Sequence, residues 1–179
     1  MGKLILSTAM TVDGVISVGE WYVSDGEHDR ASRDQFAEAA GLVLGRKTYE
    51  GLAAYWSPLT GEWADRLNPM PKFVASRSLQ GPLDWNATLI EGDGAEGVQG
   101  LKGELDGDLF LIGCGELARN LLEQDVIDEL RFWVHPGVWG DGERPFHGAA
   151  QLRLELVGSE SFDSGVAVFR YEPAKRRRS

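Results

Sequence analysis

A glycine-rich corner at residues 113–115 is the part of the chain best suited to chemistry. An apolar run ends in Gly113-Cys114-Gly115, and a helical pattern from Leu117 to Leu122 follows at once. Two glycines let the backbone turn tightly where a strand meets a helix. They also leave the first N–H groups of the helix open to an anion, which the helix dipole favours. With Ala118 the corner matches the dinucleotide fingerprint Gly-x-Gly-x-x-Ala and predicts a phosphate site, with a purely structural corner as the alternative.

A second candidate phosphate site follows a short apolar strand that ends at Gly45. Arg46 and Lys47 occupy the first turn of the next predicted helix, where each cation opposes the helix dipole at a cost of about 0.3–1 kcal/mol. A bound phosphate would reverse that sign, because backbone N–H groups, the Thr48 hydroxyl and the guanidinium would converge on it. A solvated helix start is the alternative.

A third candidate lies in Ser76-Arg77-Ser78, at the end of another predicted strand. Arginine beside hydroxyl groups at the carboxyl end of a strand suits a phosphate monoester, such as the 2′-phosphate of NADP. An exposed turn is the alternative reading of this segment.

Length and composition indicate an ordinary globular protein. The chain has 179 residues, of which 42% are hydrophobic and 26% charged, so we expect one domain over residues 1–173 and a disordered basic tail over 174–179. A net charge of −10 argues against a nucleic-acid binder. No apolar run is long enough for a membrane span or a signal peptide, which makes the cytoplasm the expected location. One cysteine and three scattered histidines predict no disulfide and no metal site.

The order of predicted elements favours an α/β fold. Strands and helices alternate through residue 124, and alternating apolar residues then predict antiparallel strands to the end. The expected architecture is a mixed, mostly parallel sheet with helices on both faces and an antiparallel C-terminal hairpin. Predicted strands cover residues 3–10, 42–44, 72–76, 87–91, 109–112, 129–135, 151–162 and 166–171. Predicted helices cover 46–54, 61–67 and 116–124, while 96–105 is a helix or a loop. Another helix starts near Ser24 and carries an apolar stripe through Phe36, Ala37 and Ala40, with Gly41 closing it.

In this order the motifs resemble the dihydrofolate-reductase-like superfamily, and more closely its RibD C-terminal branch, the reductases of riboflavin synthesis. Three further segments carry the resemblance, which covers nearly the whole chain: Met10 to Gly14, Val126 to Leu130, and His135-Pro136 with Gly140 to Phe146. The resemblance implies a three-layer fold and hydride transfer from NADPH. The implied reaction is like that of 5-amino-6-(5-phosphoribosylamino)uracil reductase, on a small heterocyclic or carbonyl substrate.

The resemblance also implies roles for individual residues. The adenosine phosphates would contact Gly45, Arg46, Lys47, Thr48, Ser76 and Arg77, and the pyrophosphate would contact Gly113, Cys114, Gly115, Glu116 and Leu117. Ala9 and Ile16 would approach the nicotinamide. Glu116 departs from the pattern, because an acid at this helix start competes with a phosphate.

Asp13 is the expected catalytic residue. In the riboflavin branch the acid of this turn faces the active site, where it could hydrogen-bond a pyrimidine or ribityl group or help to route a proton. An Asp-Gly turn that satisfies its own backbone is the alternative.

Four aromatic residues are candidates for stacking a flat substrate: Trp21, Tyr22, Tyr55 and Trp56. Core packing is the alternative for each of them. Folate is disfavoured, because folate reductases carry a carboxylate one turn before an aromatic residue, and the residue one turn before Phe36 is Ser32. A dihydrofolate reductase and a nucleotide-binding domain without turnover remain the alternative functions.

The last two strands predict a homodimer. Leu152, Leu154 and Leu156 are expected to share one apolar face with Val166, Val168 and Arg170. The other face is expected to carry Arg153, Glu155, Val157, Ala167, Phe169 and Tyr171. Apolar groups on both faces of a late hairpin leave more to bury than one domain covers, and a closed two-fold contact would protect the edge. The riboflavin branch resembles this in dimerising through its late strands.

Overall fold

Eight strands form one sheet in the computed structural model, which describes residues 1–174 of the chain. The predicted basic tail therefore lies outside the described residues from 175 onward. The strands are β1 (Leu4–Thr11), β2 (Ala39–Gly45), β3 (Lys72–Ala75), β4 (Ala87–Ile90), β5 (Asp108–Ile112), β6 (Glu129–His135), β7 (Leu154–Ser161) and β8 (Ala167–Pro173). Their order across the sheet is β4-β3-β2-β5-β1-β6-β8-β7. The first six are parallel, β8 is antiparallel to β6, and β7 is antiparallel to β8. This is the mixed sheet expected from the sequence.

Helices cover both faces of the sheet, as predicted. They are α1 (Glu27–Asp34), α2 (Arg46–Trp56), α3 (Glu62–Leu67), α4 (Gly94–Glu104) and α5 (Glu116–Glu123). Successive residues of β1 point to opposite faces, so Leu4 and Leu6 join a buried cluster with α4 and α5, while Ile5 joins a second cluster with α2 and α3. The fold is therefore three layers with an apolar core on each side of the sheet.

Parallel pairing brings the carboxyl ends of six strands to one edge of the sheet. β5 is inserted between β1 and β2, although it follows both in the chain. Because of this insertion, the glycine corner after β5 lies between the loops that follow Thr11 and Gly45. Segments that are far apart in sequence thus meet at what we call the carboxyl edge.

The first helix is shorter than predicted. α1 ends at Asp34, and Phe36 follows the helix, where its ring packs 4.7 Å from that of Phe110. Gly41 does not close a helix but lies within β2, because a Cβ there would come within 2.8 Å of the Pro71 carbonyl oxygen. The close approach of β3 thus requires glycine at a position that the sequence pattern assigns to a helix end.

Two other boundaries are settled by the structure. The segment predicted as helix or loop is the helix α4, whose first turn is capped by the Asp93 carboxylate accepting from Ala95 N and Glu96 N. The strand predicted from Gln151 begins instead at Leu154.

The predicted division of apolar residues on the last two strands is wrong. Leu154 and Leu156 lie opposite Pro173 and Tyr171, so they do not share a face with Val168 and Arg170. The cause is the pairing register, because residues directly opposite each other in an antiparallel pair point to the same side of the sheet.

Dimerisation stays a prediction, and β7 is the strand that we expect to mediate it. β7 is the last strand of the sheet, and its side chains Leu156 and Val157 are 55% and 48% exposed. An exposed apolar edge strand favours pairing with a second copy. We expect wild-type protein to have twice the 19.6 kDa mass of the chain by light scattering behind a sizing column.

The matched variant is Leu156→Glu, which should yield the monomer because a charge would be buried in the contact. A wild-type protein that elutes as a monomer at micromolar concentration would contradict the dimer.

Candidate functional site at the carboxyl edge

The first turns of α2 and α5 lie side by side at the carboxyl edge. Gly113 has a φ of +99°, and a Cβ at this position would lie 2.6 Å from Thr48 Oγ1. A Cβ at Gly45 would in turn lie 3.8 Å from the Leu117 Cβ. Glycine is therefore needed at residue 113 both for the turn and for the approach of the two helix starts.

Neither of these helix starts is capped by a side chain. Gly45 and Gly115 are the N-cap residues, and no side chain in the described part of the chain accepts from their first-turn N–H groups as a cap. α4 differs, since Asp93 caps it. The first turns of α2 and α5 thus present donors that an external anion can accept from, in the field of two helix dipoles.

Three cations surround these helix starts, and two of them are paired. Arg46 lies 3.1 Å from Glu50, and Arg77 lies 3.2 Å from Glu116, whereas Lys47 is exposed. The side chains of Arg77 and Glu116 are 92% and 73% exposed, and such surface pairs contribute at most about 1 kcal/mol. Glu116, the acid that departs from the family pattern, therefore pairs only weakly with Arg77, and a phosphate can replace it as the partner of the arginine.

Ser76 shapes the turn that carries Arg77. Its hydroxyl oxygen accepts hydrogen bonds from the backbone N–H groups of Ser78 at 3.2 Å and Leu79 at 3.0 Å. The hydroxyl thus satisfies two backbone N–H groups directly after β3 and stabilises the turn that contains Arg77.

Cys114 contributes backbone and bulk to the corner. Its thiol is buried, and burial raises its pKa to about 11, with a hydrogen bond to Thr8 acting in the opposite direction. A thiol of this kind stays protonated at neutral pH and is a poor nucleophile. The backbone carbonyl oxygen of Cys114 accepts a hydrogen bond from Phe146 N at 3.4 Å, which brings the loop after β6 against the corner.

Asp13 anchors that same loop at its other end. One carboxylate oxygen accepts from Thr11 Oγ1 at 2.6 Å and from Trp139 N at 3.0 Å, and the other accepts from Gly140 N at 2.7 Å. These hydrogen bonds, with that of Thr11 largest, lower the pKa of Asp13 to about 2. The group is therefore an ionised acceptor at neutral pH, and its contacts favour holding the loop over giving or taking a proton.

Ala9 and Ile16 flank the Asp13 turn. Ala9 lies in β1 opposite Trp133 of β6. Ile16 packs against the larger core cluster, and its N–H donates to the Glu143 carbonyl at 2.9 Å. The loop over residues 136–147 consequently contacts both the Asp13 turn and the glycine corner.

The family model of the RibD C-terminal domain matches residues 2–168 of this chain. The chain belongs to the RibD C-terminal domain family. The reductases of this family use a nicotinamide cofactor. The chain is 30% identical to the Bacillus subtilis (strain 168) protein YyaP, with 94% of each chain covered.

Solved structures of RibD-like proteins share the fold. A Shewanella sp. PV-4 protein named for riboflavin biosynthesis gives a TM-score of 0.77 at 19% identity, covering 97% of this chain and 99% of that one. A pyrimidine reductase-like protein of Corynebacterium diphtheriae gives 0.69 at 13% identity, covering 97% and 92%. Acinetobacter baumannii RibD gives 0.69 at 17% identity, and 98% of this chain spans 59% of that protein. These likenesses confirm the predicted dihydrofolate-reductase-like fold of the RibD branch.

The structure does not bring together the four aromatic residues predicted to stack a substrate. The rings of Trp21 and Tyr22 lie 5.3 and 4.7 Å from that of His135, at the end of β6. Tyr55 and Trp56 end α2, roughly 15 Å along the helix axis from its start at the carboxyl edge. Trp21 and Tyr22 are thus the pair that lies near the edge in this RibD-like domain.

A carboxylate on α1 is present but already engaged. Asp29 accepts from Trp63 Nε1 at 2.9 Å and from Arg33 at 3.0 Å. Phe36, the aromatic residue that the comparison with folate reductases takes as its reference, lies beyond the end of α1. Asp29 therefore already has partners within the protein, and the exclusion of folate stays a prediction.

Two buried histidines that the sequence analysis left without a role pin the segment before α1. His135 Nδ1 accepts from Val23 N at 3.1 Å, and His28 Nε2 lies 3.0 Å from the Val23 carbonyl oxygen. The Ser164 hydroxyl lies 2.8 Å from His28 Nδ1. Burial, followed by the nearby His28, lowers the pKa of His135 to about 4. Spacing along the chain gives no signal for this cluster, because its members come from three distant segments.

Of the described residues, no group of histidine, cysteine and acidic side chains is placed to hold a metal ion. Over the same residues, no helix is long and apolar enough to cross a membrane.

Stability should fall on acidification because of His135. Between its native pKa of about 4 and its ordinary value of 6.5, the unfolded chain binds more protons than the native one. The free energy of unfolding should therefore drop by up to about 3 kcal/mol across that window, and the contribution is complete only above it. Urea unfolding at neutral pH and at about pH 5 measures the effect.

The comparison variants are His135→Gln, which should flatten this pH dependence, and His147→Gln, an exposed histidine whose loss should leave it unchanged. Equal pH dependence in all three proteins would refute the assignment to His135.

Proposed function

We propose that this protein is an NADPH-dependent reductase. The observation that carries the proposal is the meeting of two uncapped helix starts, α2 and α5, at an edge that also holds Arg46, Lys47 and Arg77. Clustered N–H donors and cations suit the phosphates of a dinucleotide. Membership of the RibD C-terminal domain family supports the same assignment.

The residues present fit such a cofactor. A Cβ at Gly115 would meet nothing within 4 Å, so the space in front of α5 is open, and the N–H groups after Gly113 would face the pyrophosphate. Arg77, with Ser76 shaping its turn, would bind the 2′-phosphate, and Arg46, Lys47 and Thr48 would complete the phosphate contacts. NADPH, when bound, supplies the hydride.

The remaining residues at the edge would orient the reactants and exclude water. Ala9 and Ile16 offer apolar contacts beside the Asp13 turn, and the loop over residues 136–147 covers the site while Asp13 holds it. We propose that Asp13 acts chiefly by positioning this loop, since its carboxylate already accepts three hydrogen bonds.

The proposed substrate is a small heterocyclic or carbonyl compound that resembles 5-amino-6-(5-phosphoribosylamino)uracil. Trp21 and Tyr22 are the aromatic pair that could contact it, because they lie near the ends of β1 and β6. Screening pyrimidines, pterins and quinones for NADPH oxidation tests the class. Tight NADPH binding without oxidation by any of them would favour the alternative of a nucleotide-binding domain without turnover.

Arg77→Ala should lower the preference for NADPH over NADH by one to two orders of magnitude. The variant loses a charge-assisted contact to the 2′-phosphate of about 1.5–3 kcal/mol, which NADH does not make. Titration of both cofactors by fluorescence measures the preference.

Arg153→Ala is the matched control, because Arg153 is exposed and lies in the segment before β7, away from the carboxyl edge. It should bind both cofactors like the wild type. Equal losses for NADPH and NADH in Arg77→Ala would rule out the 2′-phosphate contact.

Asp13→Asn should retain NADPH binding and lose most turnover on any substrate that the screen identifies. The asparagine NH₂ group would oppose the N–H of Gly140, so the loop over residues 136–147 would lose its anchor. The measurements are kcat across pH, cofactor affinity, and limited proteolysis of the loop.

A loop role predicts faster cleavage within residues 136–147 and a pH profile of unchanged shape. Normal turnover in a normally folded variant would reduce Asp13 to a turn residue, and an altered pH profile would instead favour proton transfer.

A further inference from the structure

A cavity of about 350 Å³ lies between α1 and the last strands, on the face of the sheet opposite α5. Ala31 of α1 and Gln35, just after that helix, line one side, while the lining residues of the strands are Arg131, Trp133, Ser159, Glu160, Val168 and Arg170. The volume is within the range of small-molecule sites. None of the residues assigned to the proposed cofactor site lines it, so the cavity is independent of the proposed reductase function.

Two arginines face each other across the floor of this cavity. Arg131 of β6 lies directly opposite Arg170 of β8 in the antiparallel register. Like charges in this arrangement destabilise a sheet unless a counter-charge is near. Arg131 has one, because its Nε lies 2.6 Å from Glu129. The Arg170 side chain makes no ion pair or hydrogen bond with any described residue, so its guanidinium has no counter-charge.

Two contacts hold the Arg131 guanidinium in place and leave its terminal nitrogens free. Its guanidinium carbon lies 5.4 Å from the centre of the Phe110 ring, and its Nε is bonded to Glu129. The two terminal nitrogens make no hydrogen bond to other residues in the described part of the chain. They present parallel N–H groups in the geometry that binds two oxygens of one anion.

Glycine at residue 158 makes room for the second arginine. Gly158 lies opposite Arg170, next to the bulge in β7, and a Cβ there would come within 2.5 Å of Arg170 Nη2. The guanidinium of the exposed Arg170 therefore lies close to the backbone of β7 at this position.

A buried donor without an acceptor lies in the same wall. Trp133 is 6% exposed, and its Nε1 is the one buried side-chain nitrogen or oxygen among residues 1–174 that has no hydrogen-bond partner. A buried N–H without an acceptor is destabilising, and a ligand oxygen would satisfy it.

We propose that this cavity binds a small oxyanion, a phosphate or a carboxylate, through Arg131, Arg170 and the Trp133 indole N–H. All three groups are donors and two are cations. Glu160 is the one acid among the lining residues, and Glu129, which pairs with Arg131, lies outside the lining. We call this cavity the arginine cavity.

The experiment follows the indole N–H resonances of ¹⁵N-labelled protein during titration with inorganic phosphate and, separately, malonate. Ionic strength is held constant with chloride, and Trp133→Phe assigns the resonance. The Trp133 signal should move downfield and saturate with at least one of the two anions. A response to phosphate alone identifies a phosphate site, and a response to malonate alone identifies a carboxylate site.

Arg170→Gln should weaken this binding about tenfold or more, since a charge-assisted bond is lost. Gly158→Ala should weaken it as well by displacing the guanidinium. Arg153→Gln, an exposed arginine before β7, should leave it unchanged. A Trp133 resonance that responds to neither anion beyond chloride, or Arg170→Gln protein that binds like the wild type, would overturn the proposal.

Discussion

The contact between Gly113 and Thr48 is the constraint on which the carboxyl edge depends. A side chain at residue 113 would collide with Thr48 Oγ1, so only glycine allows the starts of α2 and α5 to lie together. β5 must also insert between β1 and β2 to bring the corner to that place. Both helices have glycine N-caps and bring unsatisfied N–H groups to one point. One close approach thus brings two strand-to-helix turns together at the proposed phosphate site.

Charge at this edge is arranged against the character of the whole chain. The protein carries a net charge of −10, yet three cations flank the helix starts. Glu50 and Glu116 neutralise two of them through exposed ion pairs. Such pairs are weak, so the cations are available without a large cost of separation. On the other side of the edge, the Asp13 carboxylate accepts hydrogen bonds from backbone N–H groups of the loop after β6. These contacts anchor the loop.

The sequence allowed the fold to be predicted where local signals were sufficient. The glycine corner, the cation-rich start of α2 and the alternation of the late strands all identified elements that the structure contains. Prediction failed where tertiary contacts decided: Gly41 is required by a carbonyl of the neighbouring strand, and strand register fixed which face Leu156 occupies. The arginine cavity was missed for the same reason. Arg131 and Arg170 each interrupt an apolar alternation, but only the register places them opposite each other.

A crystal structure of the protein with bound NADPH tests the account most directly. In that structure we expect the pyrophosphate to accept hydrogen bonds from first-turn N–H groups of α5. We also expect Arg77 to contact the 2′-phosphate instead of Glu116, and the nicotinamide to lie beside Ala9. A cofactor bound elsewhere, with the helix starts of α2 and α5 empty and the Arg77–Glu116 pair intact, would contradict it.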